Sequence, residues 1–155
     1  MPLLRAALSW NFVRATAICA SLLAQLIKVL LNLFIFHRFI AERMWGAGGM
    51  PSSHSATVCA MVVATGRYCG VNSPLFAIAA VLSIIVMYDA MGVRYETGEQ
   101  AKVLNRMFTE WMDQGFEQFQ LPHGKKLKEM VGHTPIEVVT GAALGIVLGF
   151  AMPMV

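Results

Sequence analysis

Apolar stretches close to the length of a bilayer crossing recur along this chain, and they restrict its possible folds more than any other feature. They run from about Ala15 to Phe36, from Ser55 to Tyr68 or a little beyond, from Pro74 to Val93, and from Pro135 to the C-terminus. A helix needs roughly 20 mostly apolar residues to span a bilayer, and the second stretch is the shortest and least apolar of the four. With 57% apolar and only 14% charged residues, the chain is too apolar for an ordinary soluble domain. The expected fold is all-α: a polytopic membrane helix bundle of about four transmembrane helices plus an amphipathic interfacial helix, forming one integral-membrane domain over residues 1–155. Pro51, Pro74 and Pro135 stand at or near helix starts, where a missing N–H is harmless. The first apolar run continues past Lys28 to Phe36, too long for a signal-peptide core, so a retained first helix is expected.

Four spans bring the ends of helices one and three and the starts of helices two and four to one side. That side carries Arg38, Arg43, Arg94, Lys102, Arg106, Lys125, Lys126 and Lys128, against Arg5, Arg14 and Arg67 opposite. The bias assigns it to the cytoplasm or its equivalent. Nothing resembles a nucleic-acid-binding patch. Cys19, Cys59 and Cys69 lie in or beside apolar segments without a CxxC pair, and read as small packing residues.

Two histidine motifs open apolar stretches on that same side: Gly48-Gly49-Met50-Pro51-Ser52-Ser53-His54-Ser55 and Gly132-His133-Thr134-Pro135-Ile136-Glu137. Two imidazoles from distant parts of the chain suggest a shared polar site at a bilayer surface. His133 and Glu137, four apart, stack on one helical face, where a carboxylate can accept a proton from one ring nitrogen and leave the other basic. Ser21, Gln25, Lys28 and Asn32 share one face of the first helix, read either as a packing stripe with a snorkelling lysine or as part of an anion site. Asp89, at the end of the third stretch, needs a partner among Arg94, Lys28 or a histidine, and Arg94 suits a phosphate. Between Arg94 and Gly132, the residues Val103, Leu104, Met107, Phe108, Trp111 and Met112 fall at helical spacing. They describe an amphipathic helix that lies at the interface, covers the site or packs on a partner subunit. Gly141, Gly145 and Gly149 form a smooth groove for close helix packing.

Pro51-Ser52-Ser53-His54 resembles the Pro-Ser-Gly-His motif of type 2 phosphatidic acid phosphatases, relatives of vanadium haloperoxidases. Gly132-His133-Thr134-Pro135-Ile136-Glu137-Val138, with Gly141 and Gly145, resembles that superfamily's last motif. Together with Tyr88-Asp89-Ala90-Met91-Gly92-Val93-Arg94, these residues are most similar to its divergent branch, also called acid phosphatase/vanadium-dependent haloperoxidase-related. The likeness runs from about Gln25 to Gly149.

The resemblance implies hydrolysis of a phosphomonoester on a phospholipid, with no metal and no cofactor. It would make His133 the nucleophile, forming a phosphohistidine, with Glu137 orienting it and His54 protonating the leaving alkoxide. Ser52 and the N–H groups around Ser53 would hold phosphate oxygens. The chain departs from the superfamily in several places. Ile35 stands where an Arg-Pro pair would follow Lys28, Leu127 stands where an arginine would precede the last histidine, Ser53 replaces glycine and Glu137 replaces aspartate. Phosphate-binding cations are therefore expected to be Arg94 and Lys28, then Lys102. Fewer spans than typical members leave room for a second copy, as a homodimer, to complete the bundle. The missing cation motifs keep a second reading open, a non-catalytic membrane protein that retains the scaffold and binds lipid phosphate or a partner.

Overall fold

In the computed structural model, residues 11–36, 49–114, 126–129 and 131–154 are described. Arg5, Arg38, Arg43, Gly48 and Lys125 lie outside them, so the charge bias across the two sides is only partly represented. The described residues form helices and connections, without a strand: α1 Phe12–Phe36, α2 Ser53–Cys69, α3 Pro74–Met91, α4 Val93–Asp113 and α5 Pro135–Ala151.

Local chemistry sets the helix starts. Ser52 caps α2 by accepting the Ser55 N–H at 3.3 Å, and Ser73 caps α3 by accepting the Phe76 N–H at 3.2 Å, with Pro74 in the first turn. Thr134 caps α5 ahead of Pro135, with Glu137 completing a capping box. Two runs, Phe12–Phe34 and Pro74–Asp113, are long and apolar enough to cross a membrane, and Pro135–Ala151 is a shorter apolar helix. The second run holds α3 and α4, separated only at Gly92, whose N–H still bonds the Tyr88 carbonyl at 2.8 Å. The sequence suggested a third span to Val93 and an amphipathic helix within the connection that follows; that helix begins at Val93 itself, directly after Gly92.

The short, weakly apolar α2 is the centre of the bundle, with α1, α3 and α5 packed around it. Its contact faces are built from small residues. Ala20, Ala24, Ala56 and Ala60 are fully buried, and Leu144 and Leu148 pack against them. A Cβ on Gly141 would collide with the Ser52 carbonyl oxygen, and one on Gly145 with that of Ala56. The glycine groove thus seats the backbone of α2 directly, as small residues do where helices approach closely. Large apolar side chains point the other way: Leu22, Ile78, Ile84 and Val147 are each more than 60% exposed. At the far end of α2, Arg67 donates to the carbonyls of Gly149, Phe150 and Met152. It thereby satisfies acceptors that the last turn of α5 cannot pair within the helix.

Candidate active site

The second histidine motif enters α5 through a backbone that is held from two sides. The His133 N–H donates to the Ala90 carbonyl at the end of α3, at 3.0 Å. A Cβ on Gly132 would overlap the backbone of Arg94 and Tyr95, so only glycine permits this approach. His133 itself is completely buried. Its Nδ1 lies 3.1 Å from Glu137 Oε2, and the same oxygen accepts the Thr134 N–H at 3.1 Å. One carboxylate therefore both caps α5 and fixes the imidazole. With Nδ1–H given to Glu137, the lone pair of the neutral ring sits on Nε2. That Nε2 is buried and has no hydrogen-bond partner among the described residues. Burial pushes the His133 imidazolium below the ordinary histidine range; Glu137 opposes this, while the charges of Lys28 and Arg94 add to it.

The first motif is tied directly to the second. Ser52 N–H donates to the Glu137 carbonyl at 2.9 Å, across the contact that Gly141 keeps open. Ser52 is fully buried, and its Oγ accepts from both the Ser55 N–H and the Ser55 hydroxyl. Ser53 is also buried, and its Oγ accepts from Gln25 Nε2 at 3.4 Å. Gln25 Oε1 is the other buried polar atom without a partner among the described residues. His54, by contrast, is exposed, and its ring meets that of His133 edge-on with centroids 5.7 Å apart.

Lys28 is the largest fully buried side chain described, 1% exposed, and its methylene stem runs against Gly49. Gly49 has φ +85°, a conformation natural to glycine. The charge of Glu137 acts on Lys28, and those of Lys28, Arg94 and Asp89 act on His54. Asp89 takes Arg94 as its partner, with Nε–Oδ2 2.7 Å, both side chains nearly half exposed. A pair so exposed contributes at most about 1 kcal/mol to stability, so its main effect is to hold the guanidinium near the histidines. Of the expected site residues, the fold gathers His54, His133, Glu137, Ser52, Ser53, Lys28, Arg94 and Asp89. Lys102 is not brought to this cluster. It is exposed on α4 and pairs with Glu99 at 2.6 Å.

Sequence reasoning placed Asn105 only among the polar residues of the amphipathic helix and gave it no part in the site. This residue is buried in α4, and its amide embraces the chain that leads to His133. Asn105 Nδ2 donates to the Leu127 carbonyl and to Glu129 Oε1, and Oδ1 accepts the Leu127 N–H, each at 2.8 Å. The available signal was a lone polar residue in line with Gly98 and Ala101, on the face of α4 that is neither apolar nor charged. The capping role of Glu137 was also missed, although Thr134-x-x-Glu137 is a capping-box pattern. Among the described residues, no group of three His, Cys, Asp or Glu side chains is disposed to hold a metal ion.

Residues 10–148 match the model of the Divergent PAP2 family. The chain is also 38% identical over 144 residues to an uncharacterized membrane protein, YuiD, of Bacillus subtilis (strain 168), covering 89% of this chain and 91% of that protein. No solved structure matches. With its two histidine motifs joined by a backbone hydrogen bond and a family match that covers nearly its whole length, this chain belongs to the divergent PAP2 family.

Proposed function

We propose that this protein is a membrane lipid-phosphate phosphatase working through a phosphohistidine at His133. The observation that carries the reading is a buried imidazole with Nδ1 committed to Glu137, Nε2 unpartnered among the described residues, and a second imidazole against it. In the first step Nε2 attacks phosphorus and the bond to the lipid oxygen breaks. The alkoxide takes a proton from the His54 imidazolium. In the second step neutral His54 takes a proton from water, the oxygen attacks phosphorus, and the P–N bond breaks to release inorganic phosphate. Lys28 and Arg94 offset the charge of the phosphoryl oxygens, and N–H groups at the start of α2 add to them. An in-line arrangement needs roughly 3 Å on each side of the phosphoryl group, so the exposed His54 ring swings away from His133 as substrate enters.

The four apolar helices are read as spans, with the motifs on the cytoplasmic side. A phospholipid phosphate made on that face, such as phosphatidylglycerophosphate or phosphatidate, is then the substrate class. The membrane name of the Bacillus relative and the outward apolar side chains support the placement in a membrane. The test is phosphate release by purified protein from a panel of lipid phosphates, in EDTA, beside His133→Ala. Turnover that survives EDTA and vanishes in the variant is the expected result.

One observation favours a second reading. The histidine rings are in contact and Nε2 is covered, as in a scaffold that binds lipid phosphate without turnover. Folded wild-type protein that binds a lipid phosphate yet releases none would establish it.

A further inference from the structure

α4 presents three different faces. Gly98, Ala101 and Asn105 form the buried one. On it, Asn105 holds Leu127 and Glu129, and Gly98 meets the Glu129 carbonyl so closely that a Cβ would collide with it. Glu99, Lys102, Arg106 and Glu110 form a charged face whose members pair among themselves, Lys102 with Glu99 and Arg106 with Glu110. Val93, Val103, Leu104 and Met107 form the third, apolar and exposed at 60%, 59%, 44% and 38%. Helical geometry separates the three by roughly a third of a turn each.

The apolar face is not isolated. α4 follows α3 with only Gly92 between them, and α3 ends with Ile84, Ile85 and Tyr88 exposed at 63%, 58% and 71%. Exposed apolar side chains thus stand on both helices that meet at Gly92, a helix in a run long enough to span a bilayer and a helix with segregated charges, the composition of a segment lying in the headgroup layer. The occupant argued by this adjacency is the protein's own membrane surface.

We propose that α4 rests its Val103, Leu104 and Met107 face in the headgroup layer and, through Asn105, holds the chain leading to His133 in place. The nucleophile segment is then fully ordered only when α4 lies on lipid. Asn105 acts as a positioning residue, because it touches the 126–129 segment and not the imidazoles. The activity part of this inference rests on the phosphatase reading; the ordering part does not.

The experiment is hydrogen exchange of the full chain in phosphatidylcholine–phosphatidylglycerol nanodiscs, comparing wild type, Asn105→Ala and Leu104→Glu/Met107→Glu. Both variants are expected to lose about tenfold or more protection at the Leu127 and His133 amides, with Gly141–Gly149 staying protected as the control for folding. If the phosphatase reading holds, kcat falls in both and KM changes little. Unchanged protection at Leu127 in the Leu104→Glu/Met107→Glu protein overturns the proposal. So does a nitroxide at Met107 as accessible to water-soluble quencher as one at Arg106. Because exchange and accessibility need no turnover, an inactive protein would sink the phosphatase reading and leave this one tested.

Discussion

Glu137 serves helix and site with one oxygen, which makes its replacement informative. Burial lowers the His133 pKa while Glu137 raises it, so neutral His133 persists below the ordinary histidine value of roughly 6.5. Activity that needs the neutral ring is lost as pH falls through this depressed value. In Glu137→Gln the raising contribution disappears, so the acidic limb of kcat/KM should move to still lower pH. The rate at its plateau should fall by about 10²- to 10³-fold, because the imidazole loses its orienting carboxylate. A pH–rate profile checks both. Lys28 allows a similar separation. A structural lysine would leave a less stable protein on removal, whereas a buried charge kept for substrate costs stability. Lys28→Met should therefore keep or raise the thermal midpoint in detergent while raising KM about tenfold or more. His133 and Glu137 could be paired from sequence because spacing of four residues stacks side chains on a helix. The burial of Lys28 could not, since a snorkelling lysine and an enclosed one share the same stripe of Ser21, Gln25 and Asn32.

At the scale of the helix, contact between α2 and α5 depends on the absence of side chains. Gly145→Val inserts a branched side chain where even a Cβ meets the Ala56 carbonyl. It should destabilise the protein by about 1–3 kcal/mol and reduce any activity, since Ser52 would part from Glu137. Arg67→Ala should loosen the far end of α5 and the adjoining start of α1, where its guanidinium lies over the Phe12 ring. A loss of about 1–2 kcal/mol in unfolding free energy, with KM unchanged, is the expected result. Chemical unfolding in mild detergent measures both. Helix starts were readable because Ser73-Pro74 and Thr134-Pro135 announce them. The passage from α3 into α4 was not, since a single Gly92 resembles a loop signal and yet interrupts the helix for only one residue. Asn105 was hidden for a related reason: the 126–129 segment it captures has no periodicity of its own.

The molecule as a whole reverses the usual arrangement of size and polarity. Among the described residues the interior holds mostly Ala, Gly, Ser and Thr with a lysine and a histidine, and most of the Leu and Ile side chains lie on the exterior. That arrangement is stable where the surroundings are as apolar as the side chains that face them. A lipid-soluble photoactivatable probe in native membranes should therefore label Ile78, Ile85 and Val147, and leave Ala56 and Ala60 unlabelled. Labelling confined to α1 would contradict the assignment of α3 and α5 as spans. Composition alone pointed to this class, and the order of the motifs pointed to the family. What composition could not reveal is that the least apolar of the four stretches, α2, becomes the hub. Its weak hydropathy comes from the small and polar residues that let its neighbours approach.

The links among the three motifs run through peptide groups: Ser52 N–H to the Glu137 carbonyl, and His133 N–H to the Ala90 carbonyl. Replacing a histidine side chain leaves such links standing. The chemistry of this site and the frame that carries it can therefore be altered separately. A His133 or His54 variant should remain an assembled molecule, and its silence in an assay would speak about the reaction, not about the fold.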